Sequence, residues 1–425
     1  MLNTESYPVA VQRIQDKLFG VHNGTHESDI LLSSRREIQH LLEKSRESFV
    51  DRVRPEVDLW NTNGDQWLVQ ESHSGQQRPI LFDQGTLRLI YKPRSLSADN
   101  AWESLIHWYS ELLGMPICQK VAYRLRGSFG WVTPLENSPC AQNDISLFYE
   151  RLGMLGALAW AIGSNDFGGS NIVASSAFPT VIDAELALVP GNTLFDSEPS
   201  IEFRRSGVAP YKTINRYGEV ASFSAAMIAG VACVHDPFKG SSEESCAFCQ
   251  HVPFSLEKKR FYINGNEDVF CRGFSKGLNA ILSSRYYLLS DSSPLLNFDT
   301  ALGRVVFRPT ATYVILLERN FYCLQSTGDF PDLRPILERV STKHDVSGAI
   351  SSLISEEIYS LRQGDVPRFE LKMGDRRIFF GRGGANFAYS AVERARGRIK
   401  ELSPSMVCTV TQAWEKFVAE SLTEK

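Results

Sequence analysis

The sequence predicts an α+β fold, with a β-rich N-terminal lobe followed by a mainly helical C-terminal lobe. Three observations predict it. Apolar runs punctuated by turn residues crowd into residues 79–133. A nearly unbroken apolar pattern of helical length covers residues 144–163. Helical periodicity then dominates the C-terminal third.

The elements follow in order. Residues 34–53 place apolar side chains at helical spacing and read as an amphipathic helix. Residues 79–92 read as a β-hairpin around Asp83-Gln84-Gly85. Residues 99–114 read as a helix with an Asp or Asn cap and a terminal glycine. Residues 120–133 give a second strand pair. Residues 144–163 form the most apolar helix, buried on most sides. A polar loop follows at 164–171. A strand at 172–174, a turn at Phe178-Pro179 and a strand at 180–189 come next. Residues 304–317 read as a strand, and helices are expected near 333–361, 386–401 and 404–421. The division is a helical segment at 1–58, an N-lobe at 59–135 and a C-lobe at 136–425. No repeat or low-complexity tract interrupts it.

Composition narrows the function. Among 425 residues, 43% are hydrophobic and 22% charged, which suits a globular protein with a sizeable core. A net charge of -4 gives no global attraction to nucleic acid or an anionic membrane. The N-terminus has no apolar stretch of signal-peptide length, and no window approaches the ~20 apolar residues of a spanning helix. The expectation is a cytoplasmic protein whose eight cysteines are thiols.

Four residues carry the chemistry. Phosphoryl transfer needs a cation for nucleotide phosphates, oxygen ligands for Mg²⁺, and a carboxylate that orients the attacking hydroxyl. Lys92 ends an apolar strand, as a kinase lysine does. Asp166 and Asn171 have the Asp-x4-Asn spacing of a kinase catalytic loop. Asp183 ends the next apolar run and is placed to be the second metal ligand. Asp166-Phe167-Gly168 spells the kinase metal-binding tripeptide, but the spacing to Asn171 puts Asp166 in the catalytic loop instead. Taken singly, Asp166 and Asn171 are also ordinary turn residues and Asp183 an ordinary strand-end cap. Gly75 and Gly85 are weak candidates for a phosphate loop.

These blocks resemble the dehydratase domain of class II lanthipeptide synthetases. The resemblance rests on Tyr91-Lys92-Pro93-Arg94, Phe129-Gly130-Trp131, Asn165-Asp166 through Asn171, and Val181-Ile182-Asp183-Ala184-Glu185. Arg304-Val305-Val306-Phe307-Arg308-Pro309-Thr310 and Gly364-Asp365-Val366-Pro367 extend it over about residues 60–420. It implies a kinase-like, lipid-kinase-like two-lobe fold. It also implies phosphorylation of Ser and Thr in a precursor peptide with ATP and Mg²⁺, then phosphate elimination to dehydroalanine and dehydrobutyrine. Lys92, Asp166, Asn171 and Asp183 match the phosphorylation positions. Arg304 and Thr310 match elimination positions, and Glu71-Ser72-His73 approximates an upstream acid-x-His pair. Gly168 stands where the family has histidine. The chain looks like a stand-alone form without the cyclase domain, with ring closure absent or left to a partner enzyme. A leader or carrier for the peptide is a further expected partner.

Elimination needs a base for the α-proton, enolate stabilisation and a cation for the departing phosphate. Arg304 and Arg308 alternate with apolar residues on one expected strand face, which suits a phosphate or, equally, a solvated face. Cys233, His235, Cys246, Cys249 and His251, with Cys271, have zinc-like spacing, so a structural zinc stands beside unrelated cysteines in a variable insertion. Trp102, Trp108, Tyr109 and Trp160 lie on helical faces and read as core. A kinase that stops at the phosphoester and a peptide-binding pseudokinase are the competing functions.

Overall fold

A computed structural model describes residues 65–68, 79–83, 88–135, 138, 140–214, 220–227, 263, 265–344, 346, 349–381 and 383–423. The expected helix at 34–53, Gly75, Gly85, Glu71, His73 and all of the Cys/His group except Cys271 lie outside these residues.

The chain opens with β1 (Asp65–Leu68), β2 (Ile80–Asp83) and β3 (Arg88–Lys92). Helix α1 (Ser97–Leu113) follows, then β4 (Tyr123–Leu125) and β5 (Gly130–Val132). The strands form one antiparallel sheet in the order β1-β2-β3-β5-β4. Its register sets Tyr91 opposite Trp131 and Lys92 opposite Gly130. No side-chain cap starts α1. It begins two residues before the expected Asp or Asn, after Leu96, and Asp99 is buried in its first turn. Gly114 ends it in the left-handed conformation that glycine adopts without a Cβ penalty.

Helix α2 (Ile145–Ile162) is the centre of the molecule, with every residue from Arg151 to Ile162 buried. Among the described residues it is the one helix long and apolar enough to cross a membrane. However, 78% of that window is buried inside the protein, so it is a core helix. Hairpin β6 (Ile172–Ser175) and β7 (Phe178–Val181) follows. Phe178-Pro179 lies within β7, and the turn falls at Ser176-Ala177, where Ser176 has φ 51°. Strand β7 also stops at Val181, well short of the expected 189. Arg151 fastens this hairpin to α2: it donates to the Ala177 carbonyl and lies over the Phe178 ring.

Residues without a clear sequence pattern form α3 (Pro199–Ser206), β8 (Lys212–Ile214), β9 (Val220–Phe223), α4 (Glu267–Ser283) and α5 (Arg285–Leu288). Helix α4 packs along α2 through glycines on both faces. The last third contains β10 (Leu302–Val305), α6 (Thr310–Thr327), α7 (Arg334–Arg339) and α8 (Ile350–Arg362). After these come β11 (Phe369–Lys372), β12 (Arg377–Phe380), β13 (Gly383–Asn386), α9 (Ala391–Glu401) and α10 (Pro404–Thr423).

Three expectations change here. The 304–317 strand is a four-residue strand followed by helix, because Pro309 cannot donate to a ladder and suits a helix start. The 333–361 helix is two helices, since Val340 leaves the first in an extended conformation. The helix expected from 386 starts at Ala391, after an unforeseen strand.

Trp102, Tyr109 and Trp160 are buried, as expected of core residues, while Trp108 is half-buried and stacks on Tyr287. Trp414 of α10 closes the main core by stacking on Phe274 at 4.1 Å between ring centroids. A second core, around Phe307, Phe369 and Phe380, lies under β10–β13. Helix α9 starts with a capping box in which Ser390 accepts from the Glu393 N–H and Glu393 accepts from the Ser390 N–H. Ser390→Ala is expected to lower stability by about 1 kcal/mol, read as a shifted urea midpoint with an unchanged slope.

Candidate functional site

Lys92 is the last residue of β3 and is buried. Its ammonium donates to the Ile182 carbonyl at 3.0 Å and lies 3.5 Å from Asp183 Oδ2. Asp183 stands two residues beyond β7. The hairpin register pairs Ile172 with Val181, and the Ile182 N–H donates to the Asn171 carbonyl at 3.0 Å. Asn171 and Asp183 therefore meet at one end of a two-stranded clamp. The Asn171 side-chain nitrogen donates to the Asp166 carbonyl at 2.7 Å, and its side-chain oxygen takes no part in that bond.

Asp166 has φ 65°, in the left-handed region that few non-glycine residues adopt. Two flanking contacts hold it there. The Asp166 and Phe167 N–H groups donate to the Arg205 and Ser206 carbonyls at 2.8 and 2.7 Å. The Phe167 ring is buried edge-on against Trp102, 4.8 Å between centroids. Gly207, with φ +78°, approaches so closely that a Cβ there would strike the backbone of Phe167 and Gly168. The Asp166 residue keeps an open surface, but protein crowds its carboxyl on the other sides. That burial pushes its carboxyl up to about 6 against the pull of Arg304, with Asp183 and Glu185 adding to the rise.

A charge network joins the two expected halves. Arg94 donates to Asp99 at 2.6 and 3.0 Å and to Asp183 Oδ1 at 2.7 Å, and its Nε lies 3.3 Å from Glu185. Asp99 in turn accepts from the Ala184 N–H at 3.3 Å. Glu185 receives Arg304 at 3.1 Å and Arg368 at 2.7 Å. Burial opposes the charge on Glu185, but Arg368, Arg94 and Arg304 outweigh it and hold the carboxyl well below its usual range. The Arg304 N–H donates to the Glu185 carbonyl at 3.0 Å, so β10 lies against the segment that follows Asp183.

Lys92, Asp166, Asn171, Asp183 and Arg304 thus come together, and Thr310 opens α6 six residues after Arg304. Arg308 does not join them. It lies beyond β10, is fully buried and is paired with Glu357 at 2.8 Å, so it is not on a common strand face with Arg304. Cys271 is a half-buried free thiol on α4, and burial pushes it up to about 12. Among the described residues no group of three His, Cys, Asp or Glu side chains is arranged to hold a metal.

Sequence reasoning missed Arg94, Asp99, Arg368 and Lys343, and gave Glu185 no role. Arg94 and Glu185 were visible inside the resembling blocks. Asp99 reads as a helix cap until its partner Arg94 is seen. Nothing local signals Arg368 or Lys343. Burial pulls the Lys343 ammonium down, as do the neighbouring cations Arg205 and Arg304, while Asp166 pulls it up.

The model of a family described as a domain of unknown function, DUF4135, matches residues 29–233 and 241–372. These spans include Lys92, Asp166, Asn171, Asp183, Glu185, Arg304 and Thr310. No curated protein matches the chain.

Proposed function

The chain belongs to the DUF4135 family, and from that premise we propose that it is an ATP-dependent peptide dehydratase with a kinase-like two-lobe fold. The family is found in lanthipeptide-type proteins, which agrees with the resemblance in the motif blocks. One observation carries the reading. A strand-end lysine, a left-handed catalytic-loop aspartate and an Asn/Asp clamp converge beside an arginine that a shared glutamate ties to the same site.

Each residue has a task. Lys92 suits the nucleotide phosphates as a buried point charge. Asn171 and Asp183 offer the oxygen-only donor set that Mg²⁺ takes, and the 3.5 Å Lys92–Asp183 contact is loose enough for Asp183 to share. ATP supplies the phosphoryl group when bound. Asp166 accepts the proton of the attacking Ser or Thr hydroxyl; an acid near neutrality suits that role.

In the second step a base removes the α-proton, and the C–H electron pair forms the Cα=Cβ bond. The Cβ–O bond breaks, and phosphate leaves with its electrons. Arg304 is the cation for that phosphate, and Thr310, six residues on, opens an 18-residue helix whose N-terminal end favours an anion. Gly168 in place of the family's histidine leaves the hydroxyl to be oriented by Asp166 and the loop.

The test is incubation with ATP, Mg²⁺ and a candidate Ser/Thr-containing precursor peptide, read by mass spectrometry. Loss of one water per modified residue is expected. A stable gain of a phosphoryl group would identify a kinase instead, and no change in mass would exclude both activities on that peptide. Arg304→Ala is expected to accumulate phosphopeptide, with elimination slowed on the order of 100-fold and phosphorylation retained. Unmodified peptide from this variant would place Arg304 in the first step.

A further inference from the structure

Arg308 and Glu357 are an ion pair that lies outside the site and is fully buried. A buried pair is weak support for stability, and apolar residues of similar volume often replace one neutrally or with a gain in stability. This pair is not even fully satisfied: Arg308 Nη2 and Glu357 Oε2 have no hydrogen-bond partner among the described residues. Packing stability is therefore a poor account of its presence.

Its connections give a better one. A single oxygen, Glu357 Oε1 on α8, accepts from Arg308 Nε at 2.8 Å and from the Tyr313 hydroxyl at 2.7 Å. Arg308 and Tyr313 bracket Thr310, two residues before it and three after. Arg308 also donates through Nη1 to the Val340 carbonyl, and the Lys343 N–H donates to the Phe307 carbonyl at 2.7 Å. The turn between β10 and α6 is thereby clamped to α8 on one side and to residues 340–343 on the other. That turn carries Arg304 at one end and Thr310 at the other.

We propose that Glu357 is the positioning residue of the phosphate-release step: through Arg308 and Tyr313 it fixes where Arg304 and Thr310 stand. The proposal rests on the dehydratase reading. Glu357 touches no substrate, and its effect is confined to elimination because Lys92, Asp166, Asn171 and Asp183 are held by other contacts.

The experiment uses a synthetic phosphoserine version of the same candidate precursor peptide, which bypasses phosphorylation. Release of phosphate and the loss in peptide mass are followed for the wild type, Glu357→Gln, Tyr313→Phe and the triple variant Arg308→Met/Tyr313→Phe/Glu357→Leu. Phosphorylation of the unmodified peptide is measured alongside, with thermal unfolding of each variant.

Elimination is expected to slow by about 10- to 100-fold, the scale of a misplacement near 1 Å, while phosphorylation stays within about twofold of the wild type. The triple variant tests the structural alternative. If its elimination recovers together with its unfolding temperature, the cluster is only structural and the proposal is overturned. Continued slow elimination in a stable triple variant supports it. Should the triple variant fail to fold, Tyr313→Phe decides, since it removes one hydroxyl. An unchanged elimination rate there overturns the proposal. A wild type that leaves the phosphopeptide intact refutes the dehydratase reading itself, a result distinct from any failure of the variants.

Discussion

Asp183→Ala is expected to return the precursor peptide unmodified, neither phosphorylated nor dehydrated, after incubation with ATP and Mg²⁺. The expected loss is on the order of 10³-fold or more in the first step, equivalent to about 4 kcal/mol of transition-state stabilisation. Two effects combine to make it this large. On the proposed reading the variant lacks a carboxylate for Mg²⁺, and it also strips Lys92 and Arg94 of their shared anion. Asp183→Asn separates the two. It keeps an oxygen for hydrogen bonding from Arg94 and removes the charge, so partial activity restored by raised Mg²⁺ points to the metal role. A synthetic phosphoserine peptide supplies the control, because Asp183→Ala is expected to retain elimination from it. Normal phosphorylation by either variant would remove Asp183 from the site.

Gly273→Ala is expected to lose about 3 kcal/mol or more of stability, or to fail to fold, although alanine is the better helix former by about 1 kcal/mol. A Cβ at Gly273 would strike the Glu150 carbonyl oxygen of α2, and one at Gly153 would strike the Phe270 carbonyl oxygen of α4. These obstacles are backbone, which has no rotamer to move into. Separating the helices would also disturb Trp414, which packs against both Phe270 and Phe274. Chemical denaturation of Gly153→Ala and Gly273→Ala checks the expectation. A neutral or stabilising result in both would mean that the two helices have room to slide apart.

The parts legible in the sequence were those governed by local pattern. Helix α2 announces itself because burial on all sides requires an apolar residue at nearly every position. The Asp166–Asn171 spacing was legible because a tight loop fixes it within a few residues. Residues 310–317 were misread because Thr310, Thr312, Val314 and Ile315 favour strands by local preference. Packing overrides that preference by sinking Tyr313 and Leu316 of the helix into a core with Leu333 and Leu337. The break between α7 and α8 was missed for a similar reason, since the tie from Lys343 to Phe307 is invisible to any window of neighbouring residues. Arg308 was misassigned because a strand pattern shows that side chains alternate, but not where the strand stops.

One glutamate ties together the fates of three distant arginines. Arg94, Arg304 and Arg368 lie far apart in the chain, yet all converge on Glu185. Loss of the carboxylate takes an anion from three cations at once, although Arg94 keeps Asp99 and Asp183 and Arg368 keeps Glu370, and loss of one arginine shifts the field felt by the other two. Replacements at these four positions are therefore epistatic: their effects do not add. A compensating change at one of these positions is therefore to be sought at the other three.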